Sequence, residues 1–522
     1  MRFPVLTTLA LLAAPATAAP PKGFDARVEA LRRASETPGM AIAIVENGKV
    51  VLARGYGVRA LNAPDRVDAD TLFTIGSTAK AMTATALATL VDAGKLGWDD
   101  KVVDRLPGFQ MYDPWVTREM TVRDLLVHRS GLGLGAGDLL YIPRGSYSRA
   151  EIVRRLRYLK PASGFRSGYA YDNVLYVVAG QLIEAVSGQT WEDYLRDHVF
   201  APAGMTRTTD DYARLFADPN RARPHARFGG VVRGTGPQRA LDERDHLPQA
   251  SGPAGLVAAS ANDMARWLQV QLAHGAVPGG GRVFSEAQAR EMWAPVTPIS
   301  IADLPEPVAG TQPAFQSYAL GWEVRDYRGT RIVWHAGGVY GSTSVVVLIP
   351  DRNIGFAIEL NSEETGPRHG LMYELLDHYL GFPRQDWPAR FTAYREQRIA
   401  AAQAAVAGKQ AAPAGIGPSL PLARYAGRYV DPWYGPITIG TADAGPAGLT
   451  VDFMPTPRMK GRLDHYQYDT FVARFDDPAL EPAYLTFALD AEGKVARITA
   501  RAVSPIADFS FDYGDLAFVP ER

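Results

Sequence analysis

The feature that most constrains the fold is a pair of strand-rich blocks that lie far apart in the chain. The first block, Met40–Val45 and Val50–Ala53, is joined through Asn47-Gly48, a dipeptide typical of two-residue hairpin turns. The second block contains three apolar runs, with a turn at 351–353 between the last two: Arg331–Trp334, Thr343–Ile349 and Ile354–Leu360. Strands at both ends of a long segment predict one antiparallel sheet assembled from distant parts of the chain.

The segment between the two blocks has helical character. Apolar residues recur at helical spacing in Asn173–Val186 and in Ala261–Leu272. Thr121-Val-Arg-Asp124 resembles a capping box that would begin a further helix. The predicted fold class is therefore α+β, an antiparallel sheet flanked by helices together with a mainly helical lobe.

A change of composition near Arg390 marks a second folding unit. An Ala-rich, helix-prone segment, Arg395–Ala407, precedes a Pro/Gly linker, Gln410–Leu420. Six short strand-type runs follow: Pro436–Gly440, Leu449–Phe453, His465–Phe475, Tyr484–Leu489, Ala496–Arg501 and Phe509–Phe518. We predict a first domain over residues 24–385, a helix and linker over 386–420, and a small all-β barrel or sandwich over 421–522.

The first residues have the pattern of an export signal. Arg2 gives a positive start, Leu6–Ala14 is apolar, and Ala16-Thr17-Ala18 is a small-residue cleavage pattern. We predict a signal peptide over residues 1–18 and a secreted or periplasmic protein.

Composition excludes several classes of function. The chain has no cysteine, which excludes disulfides and thiol catalysis. Its 55 Lys and Arg residues balance 56 Asp and Glu residues, so no basic surface for nucleic acid is expected. No other segment is apolar for long enough to span a membrane. His128, His198 and His335 stand apart from other ligand-type residues, so neither a metal nor another cofactor is expected.

Ser77-Thr-Ala-Lys80 is the first candidate for catalytic chemistry. Residues three apart share a helix face, so the Lys80 amine can reach the Ser77 hydroxyl. The alternative is a helix-capping serine followed by a solvated lysine. The apolar segment Ser77–Val91 favours a buried helix instead, in which desolvation would lower the pKa of Lys80 and allow it to act as a base.

Two later segments follow in a suggestive order. Tyr171 and Asn173 precede a predicted helix, and His335-Ala-Gly337-Gly338 ends a predicted strand. Taken singly, each has an ordinary structural interpretation, as a core aromatic, a helix cap and a hydrogen-bonded histidine.

Taken together, these motifs resemble the serine β-lactamase/penicillin-binding protein superfamily. The resemblance covers roughly Phe24–Phe382 and includes His128-Arg-Ser-Gly-Leu132 between the first two motifs. Within the superfamily the chain looks most like the class C β-lactamase-related branch that holds family VIII carboxylesterases and D-aminopeptidases. The C-terminal segment is similar to the lipocalin-like β domains of some members.

The resemblance implies a role for each residue. Ser77 would be the nucleophile that forms an acyl-enzyme, Lys80 would take or relay its proton, and Tyr171 would pass that proton to the leaving group. The remaining expected site residues are Asn173 and Gly337, which would contact substrate, Ser77 and Gly338, whose backbone N–H groups would form the oxyanion hole, and His335 as a further catalytic residue.

Two departures from the branch bear on the substrate. His335 stands where β-lactamases of this branch usually carry lysine, and histidine is largely neutral at pH 7. This favours an esterase or peptidase over an efficient β-lactamase. Asp172 stands where a small residue is usual, and a carboxylate facing Lys80 would favour the charged amine. The sequence leaves open which way Asp172 points.

The predicted function is therefore an exported serine hydrolase that cleaves an amide or ester, as a peptidase for D-amino-acid or small peptide substrates or as a carboxylesterase. A DD-peptidase or weak β-lactamase is one alternative. A non-catalytic protein that binds peptidoglycan fragments is another. The expected partner is a small-molecule or peptide substrate. The C-terminal domain is expected either to narrow the cleft or to mediate homo-oligomer formation.

Overall fold

The structure is a computed structural model that describes residues 20–242, 249–408, 415–441 and 448–521. The predicted signal peptide, residues 1–18, lies outside the described residues, as does part of the predicted linker.

An eight-stranded antiparallel sheet forms the centre of the first domain. The strands before the linker are β1 (Gly39–Glu46), β2 (Lys49–Gly57), β3 (Phe73–Thr74), β4 (His225–Arg227), β5 (Gln238–Ala240), β6 (Ala258–Ala259), β7 (Thr297–Pro298), β8 (Gln316–Tyr318), β9 (Glu323–Tyr327), β10 (Thr330–Val339), β11 (Ser342–Ile349) and β12 (Ile354–Leu360). The order across the sheet is β2-β1-β12-β11-β10-β9-β8-β7, while β3 pairs with β6 and β4 with β5. The predicted α+β class is confirmed.

The two distant strand blocks meet along β1. Asn47 and Gly48 both have positive φ values, 49° and 75°, which matches the turn predicted for this hairpin. On its other edge β1 pairs with β12, with Ala43 opposite Ala357. Both faces of β1 are buried, which explains its continuous apolar sequence.

Helices cover the sheet and form the lobe beside it. The α-helices are Phe24–Ala34, Lys80–Asp92, Val102–Arg105, Pro114–Glu119, Arg149–Arg155, Val174–Ser187, Trp191–Leu195, Ala201–Ala203, Tyr212–Ala217, Gly252–Gly255, Ala261–Leu272, Glu286–Met292, Thr365–Leu380 and Trp387–Ala407. One face of the sheet packs in a cluster with the first and the last two of these helices. None of the helices in the described ranges has the length and apolarity to cross a membrane.

The predicted capping box forms, but it begins only a short turn. The Thr121 backbone N–H donates to Asp124 Oδ2 at 3.0 Å, and the Asp124 N–H lies 3.4 Å from Thr121 Oγ1. A single 3₁₀ turn, Arg123–Leu125, follows. Asp124 also accepts from Arg129 and Arg166, so it stabilises a loop rather than a long helix.

The C-terminal part of the chain is a closed β-barrel. Its strands are β13 (Gly427–Asp431), β14 (Gly435–Thr441), β15 (Leu449–Asp452), β16 (Lys460–Gln467), β17 (Thr470–Phe475), β18 (Ala483–Leu489), β19 (Val495–Ala502) and β20 (Ala517–Pro520). The sequence prediction missed β13. It also took β16 and β17 as one run, whereas Tyr468, with a φ of 46°, turns the chain between them.

The predicted final strand, Phe509–Phe518, was wrong for most of its length. Residues 503–516 form a loop, with a 3₁₀ turn at Tyr513–Asp515, and only β20 pairs in the barrel. The loop's aromatic side chains gave it a strand-like pattern. They pack partly on the first domain instead, since the Phe511 ring lies 6.4 Å from the Tyr340 ring.

The barrel docks closely on the helical lobe. The Tyr147 hydroxyl donates to Tyr434 O at 2.9 Å, and the Ser146 N–H donates to Pro455 O at 2.8 Å. One hydrophobic cluster extends from the lobe into the barrel. The loop at 503–516 is thereby held against the first domain.

Candidate active site

Ser77 and Lys80 lie where a 3₁₀ turn becomes an α-helix. The turn spans Gly76–Ala79, and the helix Lys80–Asp92 begins immediately after it. This geometry places Lys80 Nζ 3.0 Å from Ser77 Oγ, with the lysine fully buried and the serine half-buried. Burial lowers the pKa of Lys80 to about 7, against the opposing charges of Asp138 and Asp172. A buried lysine of this kind can be neutral near pH 7.

The partners of Lys80 determine where its lone pair points. Nζ donates to Asn173 Oδ1 at 2.7 Å and to the backbone oxygen of Ala254, and both of these atoms only accept hydrogen bonds. A neutral amine has two N–H bonds and one lone pair. With both N–H bonds engaged, the lone pair faces Ser77, the direction required of a general base.

Tyr171 lies close to both Ser77 and Lys80. Its phenol is hydrogen-bonded to the Ser77 side chain, and Lys80 Nζ lies 4.9 Å from its ring centre. Burial raises the pKa of Tyr171 well above its usual value, despite the hydrogen bond with Ser77. The phenol is therefore protonated at neutral pH and can donate a proton.

The glycines of β10 allow its backbone to lie directly against the nucleophile turn. A Cβ on Gly337 would fall 2.0 Å from Ile75 O, and one on Gly76 would fall 2.6 Å from the Gly338 nitrogen. From the opposite face the buried Arg368 donates to Gly337 O at 2.8 Å. The Gly338 amide is thus held beside the turn that carries Ser77, as an oxyanion-binding pair requires.

His335 is buried and neutral. The Tyr318 hydroxyl and His335 Nε2 are 2.7 Å apart, and His335 Nδ1 lies 2.7 Å from Ala336 O. A ring that donates from Nδ1 to the carbonyl accepts the tyrosine proton at Nε2. Burial lowers the pKa of His335 to about 3, with the Lys80 charge acting in the same direction. His335 lies 6.3 Å from Tyr171 between ring centres and supplies no fixed positive charge.

Asp172 makes its hydrogen bonds with Ser130 and His128 rather than with Lys80. Ser130 Oγ donates to Asp172 Oδ2 at 2.6 Å, and the Asp172 backbone N–H donates to His128 Nδ1 at 3.1 Å. Burial raises the pKa of Asp172 to about 8. The carboxyl is largely protonated at pH 7, which removes the objection that it would hold Lys80 charged.

The C-terminal barrel supplies one wall of the cleft. The Phe509 ring meets the Tyr171 ring edge-on at 5.8 Å, and a Cβ on Gly135 would fall 2.5 Å from Phe509 O. Ser510 Oγ donates to Asp138 Oδ2 at 2.8 Å. The loop 503–516 therefore reaches the predicted catalytic residues from a separate domain.

Sequence reasoning missed several residues that contact the site: Asp138, Tyr318, Arg368, Phe509 and Ser510. Asp138 follows the glycine-rich run Gly131–Gly137, which signals close backbone packing and was available in the sequence. Phe509 and Ser510 lie within the run Phe509–Phe518, which was predicted as a strand.

Comparison with known proteins identifies the family of most of the chain. Residues 24–381 match the family described as Beta-lactamase, and residues 411–520 match a domain of unknown function, DUF3471. The chain is 29% identical to the unguisins hydrolase ungD of Aspergillus violaceofuscus, over 86% of this chain and 82% of that protein. It is 32% identical to penicillin-binding protein 4 of Amycolatopsis lactamdurans, over 65% of this chain and 84% of that protein.

A solved structure shares the fold of the first domain. The D-amino acid amidase from Ochrobactrum anthropi SV3, complexed with L-phenylalanine amide, superposes with a TM-score of 0.55 at 23% identity. The match covers 69% of this chain and 97% of the amidase. With the family match spanning most of the chain and Ser77 placed beside Lys80, the protein belongs to the Beta-lactamase family of serine hydrolases.

Proposed function

We propose that this protein hydrolyses an amide or ester bond through an acyl-Ser77 intermediate, most readily in D-amino-acid amides and small peptides. The observation that carries the proposal is the set of contacts made by Lys80. Two acceptor oxygens engage its N–H bonds, and Ser77 Oγ lies 3.0 Å away in the remaining direction.

Acylation follows from this geometry. Ser77 Oγ attacks the substrate carbonyl carbon as its proton passes to Lys80 Nζ. The carbonyl oxygen becomes negative and accepts hydrogen bonds from the backbone N–H groups of Ser77 and Gly338. Tyr171 donates its proton to the leaving nitrogen or oxygen and regains one from Lys80. A water molecule then attacks the acyl carbon and gives one proton to the same groups, the bond from that carbon to Ser77 Oγ breaks, and the groups pass the proton to Oγ.

The neutral histidine supports the choice of substrate class. A β-lactam presents a carboxylate, for which a fixed cation at position 335 would be favourable, and His335 provides none. The names of the similar proteins, a hydrolase of unguisins and a D-amino acid amidase, also favour amide substrates. An ester of a short acyl chain would use the same steps with an easier leaving group.

Three substrates test the proposal on purified protein: D-alanine p-nitroanilide, p-nitrophenyl butyrate and a chromogenic cephalosporin. We expect turnover of the first two and little of the third, and we expect Ser77→Ala to abolish all turnover and all labelling by a fluorophosphonate probe. Ser504→Ala, at a serine of the barrel loop whose Oγ accepts a hydrogen bond from the Ile506 N–H, is the matched control. Unchanged labelling of Ser77→Ala would refute the acyl-Ser77 route, and rapid cephalosporin hydrolysis would refute the argument from His335.

Export and self-association belong to the same proposal. The pattern of residues 1–18 supports cleavage before Ala19, so mass spectrometry of protein from a periplasmic or secreted fraction should find Ala19 as the first residue. Light scattering of the mature protein would measure its oligomeric state.

A further inference from the structure

A chain of buried polar groups connects the candidate base to the C-terminal barrel. Lys80 Nζ donates to Asn173 Oδ1 at 2.7 Å, and Asn173 Nδ2 donates to Asp138 Oδ2 at 2.7 Å. The same carboxylate oxygen accepts from Ser510 Oγ at 2.8 Å, and Tyr141 OH donates to Asp138 Oδ1 at 2.5 Å. All of these residues except the barrel serine belong to the first domain.

The direction of these bonds decides the orientation of the Asn173 amide. Asn173 stands at the start of the helix Val174–Ser187, yet its side chain makes no capping bond to that helix. Its amide spans the gap between Lys80 and Asp138 instead. Because a carboxylate only accepts, it must face the NH₂ group of Asn173, which leaves the amide oxygen for Lys80.

A flipped amide would disable the base. The NH₂ group of Asn173 would then point at Lys80 Nζ and compete with Ser77 for the amine lone pair. The carboxylate at position 138 therefore acts on the nucleophile through two intervening side chains.

We propose that Asp138 is a positioning residue that orients Asn173 so that Lys80 can deprotonate Ser77, and that Ser510 makes the C-terminal barrel part of this apparatus. This inference rests on the proposed function, because it concerns the base of the same acylation step. It assigns the barrel a chemical contribution in addition to its contact with the cleft.

The charges around the site fit this role. Burial raises the pKa of Asp138 to about 6, while bonds from Tyr141, Asn173 and Ser510 oppose the rise, so the carboxylate is largely ionised at pH 7. The ionisable groups near it are Lys80, Tyr141 and, from the barrel loop, Asp512. Those near the amine of Lys80 are Asp138, Asp172, His128, His335 and the two tyrosines Tyr171 and Tyr176.

The test is the rate of fluorophosphonate labelling of the full-length protein between pH 5 and 9. Asp138→Asn is isosteric but removes the charge that raises the pKa of Lys80. We expect its labelling to be about 10- to 100-fold slower on the alkaline plateau, with the pH midpoint moved downward. Damage to the fold alone would slow labelling without that shift of the midpoint, and circular dichroism with a melting curve checks the fold.

The contribution of the barrel to the labelling rate is measured with two serine-to-alanine variants in the same loop. Ser510→Ala should label about 3- to 10-fold more slowly than wild type, and Ser504→Ala within about 2-fold. Equal rates for the two variants would overturn the role of the barrel. An unchanged rate and midpoint for Asp138→Asn would overturn the role of Asp138. The proposed function would still hold in that case, provided that Ser77→Ala loses labelling. Labelling of Ser77→Ala would instead refute the function itself.

Discussion

The two walls of the cleft are built in different ways. On the β10 wall, Gly337 lies so close to the nucleophile turn that a Cβ would sit 2.0 Å from Ile75 O and 2.4 Å from Ser344 Oγ. On the barrel wall, Gly135 meets a single residue of the loop 503–516, with Phe509 O 2.5 Å from a Cβ at that position. The first contact joins the strand carrying the Gly338 amide to the turn carrying Ser77. The second contact joins the loop that contains Gly135 to the loop 503–516.

This difference distinguishes the wall that carries a catalytic group, the Gly338 amide, from the wall that contacts the site through a loop. The β10 wall is part of a sheet in which β11, the neighbour of β10, and β12 are buried along their whole length, so β10 cannot move without moving the catalytic groups. The barrel wall touches the site through Phe509 and Ser510, and it can adjust at smaller cost. We expect variants of the first wall to abolish activity and variants of the second to reduce it and alter substrate preference.

The largest effect should come from Gly337→Ala. The added methyl group must push β10 from the turn and so misplace the Gly338 amide. We expect kcat/KM for the best substrate to fall by about 100-fold or more. Gly168→Ala, at a position with open space and an ordinary backbone conformation, is the control. Activity within threefold of wild type would show that the two backbones separate easily and would remove the contrast between the walls.

The next largest effect should come from pH. The base must be neutral, and the pKa of Lys80 is lowered to about 7, so activity should fall as pH drops below 7 and level off above it. Between pH 7 and 6 we expect up to about a tenfold loss of kcat/KM per pH unit from Lys80 alone, and below pH 6 the protonation of Asp138, whose pKa is about 6, adds to that loss. His335, with its pKa lowered to about 3, should add no step between pH 5 and 9. A profile that is flat down to pH 5 would contradict the assignment of Lys80 as the base.

A smaller effect is expected from Gly135→Ala on the barrel wall. The residue has a φ of 72°, and its Cβ would displace the loop at Phe509. We expect a loss of about 3- to 10-fold in labelling, similar to that of Ser510→Ala, together with a shift of preference toward bulkier substrates. Gly133→Ala, whose Cβ would lie 3.5 Å from the Ala162 Cβ, controls for changes in the same segment. A loss as large as that of Gly337→Ala would show that both walls are equally rigid.

The smallest effect on activity is expected from Asp172→Asn. With its pKa raised to about 8, Asp172 is largely protonated at pH 7, and asparagine resembles the neutral acid. We expect kcat/KM within about threefold of wild type. In the folded wild type this carboxyl stays protonated, whereas in the unfolded chain it ionises. Its contribution to the free energy of unfolding therefore falls as pH rises from about 4 to 8. The melting temperature of the variant should therefore rise relative to that of wild type over this range, and a constant difference would contradict the buried, protonated state.

Some parts of the protein followed from local sequence because local forces decide them. The Asn47-Gly48 turn needs two residues of positive φ, and this dipeptide tolerates them. The burial of Lys80 followed from an apolar segment that has no solvent-facing side. The barrel was predicted with six strand runs, yet its strands β13 and β20 were missed or misplaced, because aromatic alternation looks the same in a strand as in a loop packed on another domain.

By itself, the sequence predicted five of the eight strands of the central sheet, the presence of a C-terminal β unit and the pairing of Ser77 with Lys80. Only the tertiary structure decided the orientation of Asn173, the direction of Asp172 and the approach of Ser510 to Asp138. The physical reason is distance along the chain. Asn173 lies 93 residues from Lys80, and Ser510 lies 372 residues from Asp138, so their hydrogen bonds depend on how the helices and the barrel pack. Local propensity fixes turns and helices, whereas the partners of buried polar groups are fixed by that packing.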